Sequence, residues 1–234
     1  MTDTVTIASR FNGPADSGNG GYSCGLLAAF IDGPARVRLH VPPPLDTPLR
    51  VVCHDDGRVD MRDADTVVGT AWPAALELDV PPAPGLNAAA EAATRFRFYE
   101  GHLFPTCFVC GPGRPAHDGL EIFAGPVNDW SLLAAPWHPA PDLRGADGAV
   151  RGEFVWAALD CPGCFAAIGE NERTAVLGEL HVERLAPVPG DEPLVAYAWP
   201  LGQDGRKLFA GTALATAPGT VLARARAVWI ALGG

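Results

Sequence analysis

A single lysine, Lys207, stands among 17 basic residues, which are outnumbered by 27 acidic ones for a formal net charge of −10. A surface of that sign repels phosphate backbones and anionic lipid, so nucleic acid and an acidic membrane face are excluded as general partners. The shortage of lysine accompanies an abundance of Ala and Pro and reads as compositional bias, not function. Long apolar runs are also missing: no stretch approaches the ~20 residues that a membrane span needs. The first residues, MTDTVTIASRF, carry no basic segment followed by an apolar one, so a secretory signal is not expected and the cytoplasm is the expected location. Cysteine occurs at six positions only, which suits reduced thiols better than a disulfide framework. What is present is 234 residues, 48% hydrophobic and 19% charged, a mixture that excludes global disorder. That length predicts one large domain or two small ones, burying roughly 70–75% of the unfolded surface without staples.

The chain is written as one unit twice. VRLHVPPPLDTPL followed by DDGR in the first half returns as GELHVERLAPVPGDEPL followed by QDGR in the second. Leu39-His40-Val41 therefore corresponds to Leu180-His181-Val182, and Asp56-Gly57-Arg58 to Asp204-Gly205-Arg206. An Ala-rich apolar segment precedes each block, at 21–31 and 152–168, and suits a buried helix that Pro162 must kink or interrupt. Strands are predicted near 5–11, 35–41, 48–55, 58–63 and 66–72, then near 119–126, 130–137, 175–187, 193–201, 206–215 and 220–231. The two Asp-Gly pairs are hairpin signals. Residues 86–98 read as a connecting helix. Each half is thus a strand, a buried helix and a run of antiparallel strands, an α+β layer arrangement whose exposed sheet edges favour packing of the halves edge to edge.

This order, duplicated, resembles the hotdog fold in its double-hotdog form, two β-α-β-β-β-β units that each wrap an antiparallel sheet round a central helix. Asn19-Gly20-Gly21, opening an apolar helix, resembles the His-Gly-Gly helix start of hotdog thioesterases. Val150-Arg151-Gly152-Glu153-Phe154, running to Ala158-Leu159-Asp160, resembles the family pattern of an acidic residue nine positions after that His. Cys107-Phe108-Val109-Cys110-Gly111 with Gly119-Leu120-Glu121-Ile122-Phe123 is similar to the first strand region of thioesterase-superfamily members. The resemblance spans nearly the whole chain and implies a hotdog unit at 1–85, a connecting helix and linker at 86–103, and a second unit at 104–234.

It also implies acyl-thioester hydrolysis, with acyl-CoA or a related thioester as substrate, and no cofactor or metal. Neither half holds the full motif: the first has the glycine pair but Ala28 at the acidic position, and the second has Asp160 but Arg151-Gly152-Glu153 for His-Gly-Gly. In hotdog dimers one unit's helix start faces the other's acidic residue, which implies one composite site here and one empty pseudo-site. The hydrolysis needs donors for a developing oxyanion and a carboxylate. A helix N-terminus offers unpaired N–H groups, and glycines let a carbonyl approach. Gly20 or Gly21 N–H is therefore the oxyanion candidate, Asp160 the general base or nucleophile, and Asn19 an orienting group. The plain structural readings are a turn and cap for Asn19-Gly20-Gly21 and backbone hydrogen bonding for Asp160. The missing His keeps open an alternative, a non-catalytic hotdog that binds an acyl ligand or a partner, and a homo-oligomer is also left open.

Other motifs point less far. Gly21-Tyr22-Ser23-Cys24-Gly25 matches G-x-S-x-G, but the polar loop before it is not the strand that a nucleophile elbow requires. Two C-x-x-C pairs, Cys107/Cys110 and Cys161/Cys164, are widely separated, and the second lies inside the apolar helix, so both are expected to be packing thiols without zinc. Cys24 and Cys53 read as core thiols. His40 and His181 read as structural strand residues, whereas His102, His117 and His138 fall in loops with no metal spacing. Arg206-Lys207, Arg224 and Arg226 are the candidate partners for CoA phosphates.

Overall fold

In the computed structural model, which describes residues 3–171 and 173–232, the two halves each open on a short strand. In the first half β1 (Thr4–Thr6) leads to helix α1 (Gly20–Ala28), and then to β2 (Ala35–Leu39), β3 (Pro48–Cys53), β4 (Val59–Asp63) and β5 (Thr66–Pro73). Helix α2 (Leu86–Ala93) follows, and then β6 (Gly125–Pro126) and β7 (Leu133–Trp137). Helices α3 (Gly152–Ala158) and α4 (Cys161–Ile168) precede the long strands β8 (Ala175–Arg184), β9 (Leu194–Asp204), β10 (Lys207–Thr216) and β11 (Val221–Ala231).

All the strands join one sheet in the order β1-β3-β4-β5-β2-β8-β11-β10-β9-β7-β6, and every pairing is antiparallel. The first half thus runs β1-β3-β4-β5-β2 and the second β7-β9-β10-β11-β8, the same permutation. Strands β2 and β8 close the seam, with Arg38 opposite Glu179 and Val37 opposite Leu180. Arg38 and Glu179 each precede the Leu-His-Val of their half, so equivalent positions pair with one another.

Alternation places the core. In β2 Ala35 and Val37 are buried between exposed Arg36 and Arg38, and in β11 Ala225 and Ala227 point inward while Arg226 points out. Helix α1 is buried nearly all round because the sheet curls about it on one side and α3 covers the other. The two helices approach closely through glycine: a Cβ on Gly25 would lie 2.6 Å from Glu153 Cα, and one on Gly21 2.6 Å from the Trp156 carbonyl oxygen. Helix α2 packs its Ala89 and Ala92 on the outer face of the second half, against Val195, Tyr197 and Ala213. No helix among the described residues is long and apolar enough to cross a membrane.

Four expectations change. The strand near 5–11 stops at Thr6, since Ser9–Phe11 forms a single tight turn whose Ser9 N–H donates to Asp46 Oδ1 at 2.9 Å. The strand expected near 119–126 is reduced to Gly125–Pro126, because Leu120 and Ile122 bond to the carbonyls of Phe108 and Val109 instead of to a strand. The connecting helix ends at Ala93 rather than 98. Cys53 is exposed at the end of β3 and is not a core thiol, unlike buried Cys24.

Candidate active site

The predicted helix of 152–168 is broken, and the break builds the site. Pro162 has no N–H for the Ala158 carbonyl and its ring would clash there, so the chain leaves helical geometry at Asp160, with φ −84° and ψ −82°. The freed Leu159 carbonyl accepts from Thr212 Oγ1 at 2.8 Å. Asp160 is thereby turned across the interface between the halves, toward the start of α1.

At that start Asn19 is the cap, its Oδ1 accepting from Tyr22 N–H at 2.9 Å. The same side chain donates through Nδ2 to Asp160 Oδ2 at 2.9 Å, and the Gly21 N–H donates to that oxygen at 2.9 Å. Asp160 is 2% exposed, and its other oxygen, Oδ1, is buried with no hydrogen-bond partner. Burial pushes the Asp160 carboxyl up to about 7, against the opposing pull of the Gly21 N–H and the Asn19 amide. Residues 141 positions apart therefore meet at the start of α1.

The two glycines have different surroundings. Gly21 faces α3, where a Cβ would lie 2.5 Å from Asp160 Cβ, so its lack of a side chain serves helix contact and its N–H is engaged by Asp160. Gly20 lines the cavity, and at the first helical position its N–H has no intrahelical acceptor. Ser23 sits in α1 with its hydroxyl donating to the Asn19 carbonyl at 2.7 Å, which is helix packing and not a nucleophile elbow.

Asn19, Gly20 and Asp160 lie on the wall of a cavity of about 700 Å³ whose lining is mainly apolar, with Phe98, Phe165, Ile168, Leu177 and Trp229 among it. None of Arg206, Lys207, Arg224 or Arg226 reaches this wall. Arg224 pairs with Glu183 at 2.6 Å and donates to the Leu76 and Leu78 carbonyls, and Arg226 stacks over Phe209. Arg97 and Arg173 are the cations on the cavity wall, and nothing in the local sequence marked them. Cys107, Cys110 and Cys161 also share the wall, with Cys107 and Cys161 Sγ atoms 3.7 Å apart. Hydrogen bonds from the Cys110 and Cys161 thiols hold the Cys107 thiol well below its usual range.

Solved structures share this architecture. A protein from Novosphingobium aromaticivorans described as a putative thioesterase, at 13% identity, matches with a TM-score of 0.64 over 98% of this chain and 95% of its own. A conserved hot-dog-fold protein from Alicyclobacillus acidocaldarius, at 13% identity, matches with a TM-score of 0.62 over 100% of this chain and 93% of its own. The fold is a hotdog. An acyl-CoA thioesterase II from Mycobacterium marinum gives the same hotdog match at 12% identity, with a TM-score of 0.62 over 99% of this chain and 95% of its own. No protein-family model matches the sequence, and no curated protein matches it either. The hotdog likeness is thus one of architecture, carried at low identity over nearly the whole chain.

Proposed function

We propose that the chain hydrolyses acyl thioesters, acyl-CoA first among them, at one composite site between two hotdog units, residues 1–85 and 104–234. The repeated strand order and the pairing of equivalent residues Arg38 and Glu179 across the seam support the duplicated reading. The observation that carries the function is Asp160, a residue of the apolar cavity's lining: one of its oxygens is held by Asn19 and Gly21, and the other is buried with no hydrogen-bond partner.

In this mechanism the acyl chain lies along Phe98, Phe165 and Leu177, and the thioester carbonyl points to the Gly20 N–H. Asp160 Oδ1 takes a proton from water as the water oxygen bonds to the carbonyl carbon. The developing oxyanion is stabilised by the Gly20 N–H and the positive end of α1. Collapse restores the carbonyl and breaks the C–S bond, and the leaving thiolate recovers the proton from Asp160. Asn19 and Gly21 fix the carboxylate so that only Oδ1 reaches the water. Arg97 and Arg173 at the wall supply positive charge for CoA phosphates on an otherwise acidic protein.

The test is a panel of acyl-CoA thioesters of increasing chain length with free thiol as the readout. Turnover above the uncatalysed rate for at least one member is expected. Absence of turnover across the panel, with acyl-CoA still bound, would replace this reading by a non-catalytic acyl-binding hotdog.

A further inference from the structure

The thiols on the cavity wall do not group by their C-x-x-C spacing. Cys161 faces Cys107, not Cys164, and the Sγ atoms of Cys107, Cys110 and Cys161 all lie within 4.8 Å of one another. All three residues are buried. We propose that Cys107, Cys110 and Cys161 bind one zinc ion as a three-thiolate site whose fourth position opens to the cavity.

The geometry fits a single tetrahedral ion. Zinc–thiolate bonds of about 2.3 Å place neighbouring sulfurs of a tetrahedron about 3.8 Å apart. The Cys107–Cys161 separation is 3.7 Å. The sulfurs are too close to sit on separate irons of a cluster, and an all-thiolate set with a tetrahedral edge selects zinc over hard cations. The segment 107–111 is shaped as a ligand-bearing turn: the Gly111 N–H returns to the Cys107 carbonyl at 2.9 Å, and a Cβ on Gly111 would overlap the Cys107 backbone.

Three thiolates and a zinc ion leave one net negative charge, which buried sites balance with polar donors. Donors surround this cluster. Asn19 Nδ2 lies 3.9 Å from Cys107 Sγ and 3.8 Å from Cys161 Sγ. His102 Nδ1 accepts from the Phe104 N–H at 2.9 Å, so its ring proton sits on Nε2, 3.4 Å from Cys110 Sγ. His102 is therefore a donor to a ligand and not itself the fourth ligand. Among the described residues no other His, Cys, Asp or Glu joins the three. The three cysteines and the cavity wall leave water or a small ligand for the remaining position. Binding releases the thiol protons. It also ties the segment after the connecting helix to the residue that follows Asp160, so the ion would pin the carboxylate in place.

The test reads metal and does not depend on turnover, so it stands apart from the hydrolytic reading. Full-length protein purified under reducing conditions, without chelator, is expected to carry about one zinc per chain by elemental analysis. After removal of the zinc, cobalt(II) titration is expected to give a thiolate-to-cobalt charge-transfer band and the intense visible bands of a tetrahedral ion. Cys107→Ser, Cys110→Ser and Cys161→Ser should each weaken or abolish that spectrum, whereas Cys164→Ser should retain it. His102→Ala should lower zinc affinity about 10–100-fold with the stoichiometry preserved. A reduced wild-type chain that binds neither zinc nor cobalt at micromolar concentration would overturn the proposal, and so would equal loss of metal in Cys164→Ser and Cys161→Ser.

Discussion

Asn19 joins the cap of α1 to the carboxylate of Asp160, so replacing it separates two effects that the structure superimposes. Asn19→Ala removes the acceptor for the Tyr22 N–H, a cap typically worth about 1 kcal/mol. It also removes a buried hydrogen bond to a carboxylate, worth about 1.5–3 kcal/mol. The second loss is softened because burial already raises the Asp160 carboxyl to about 7, so the side chain can protonate once the amide is gone. The expected net loss is about 2–3 kcal/mol, which for a chain of this size is roughly 4–12 °C in Tm. Asn19→Ser keeps a good cap but cannot hold Asp160, so about 1 kcal/mol of stability should return while kcat stays about 10–100-fold down from a misplaced base. Urea unfolding and thermal melts read the stability, and steady-state hydrolysis of the best acyl-CoA reads kcat. Stability of Asn19→Ala within 0.5 kcal/mol of wild type would refute the cap-and-clamp assignment. Full kcat in Asn19→Ser would refute the positioning role.

Three further perturbations follow from particular contacts. Gly25→Ala would gain about 1 kcal/mol of helix propensity but set a methyl against the Glu153 backbone, an overlap that costs about 1–3 kcal/mol, so a net loss of stability in urea unfolding is expected. Glu153, paired with Arg151 at 3.4 Å and absent from the cavity wall, should tolerate Glu153→Gln with kcat changed by only a few-fold. Arg173→Ala should raise KM for acyl-CoA by about three- to fivefold, most clearly at low salt, with kcat unchanged.

The repeat made most of the architecture readable. Leu39-His40-Val41 and Leu180-His181-Val182 located the two strands that form the seam, and the two Asp-Gly pairs located hairpins. Both are local patterns with a period or a turn chemistry. Residues 119–124 look like a strand because they alternate, but their backbone partners lie in the loop at 108–109, a tertiary choice that alternation does not encode. The same holds at the site. Asn19, Gly20, Gly21 and Asp160 were legible because a helix start and an acidic position have a spacing, and the structure brings them together. It also separates the two glycines, with Gly21 facing α3 and Gly20 the cavity. Phe98, Phe165, Arg97 and Arg173 had no such signal, because they come from the loop after α2, from α4 and from the segment before β8, and only the tertiary fold gathers them. The C-x-x-C spacing does not say which thiols meet: Cys161 and Cys164 share one, yet the break at Asp160 turns Cys161 toward Cys107.

The most direct measurement is kcat for Asp160→Asn on the best thioester from the acyl-CoA panel, with thermal melts and acyl-CoA binding as controls. Loss of the base predicts a fall of at least about 100-fold, roughly 3 kcal/mol of barrier, in a folded protein that still binds substrate. Undiminished kcat in Asp160→Asn would contradict the account, because Asp160 is the carboxylate that Asn19 and Gly21 hold at the start of α1.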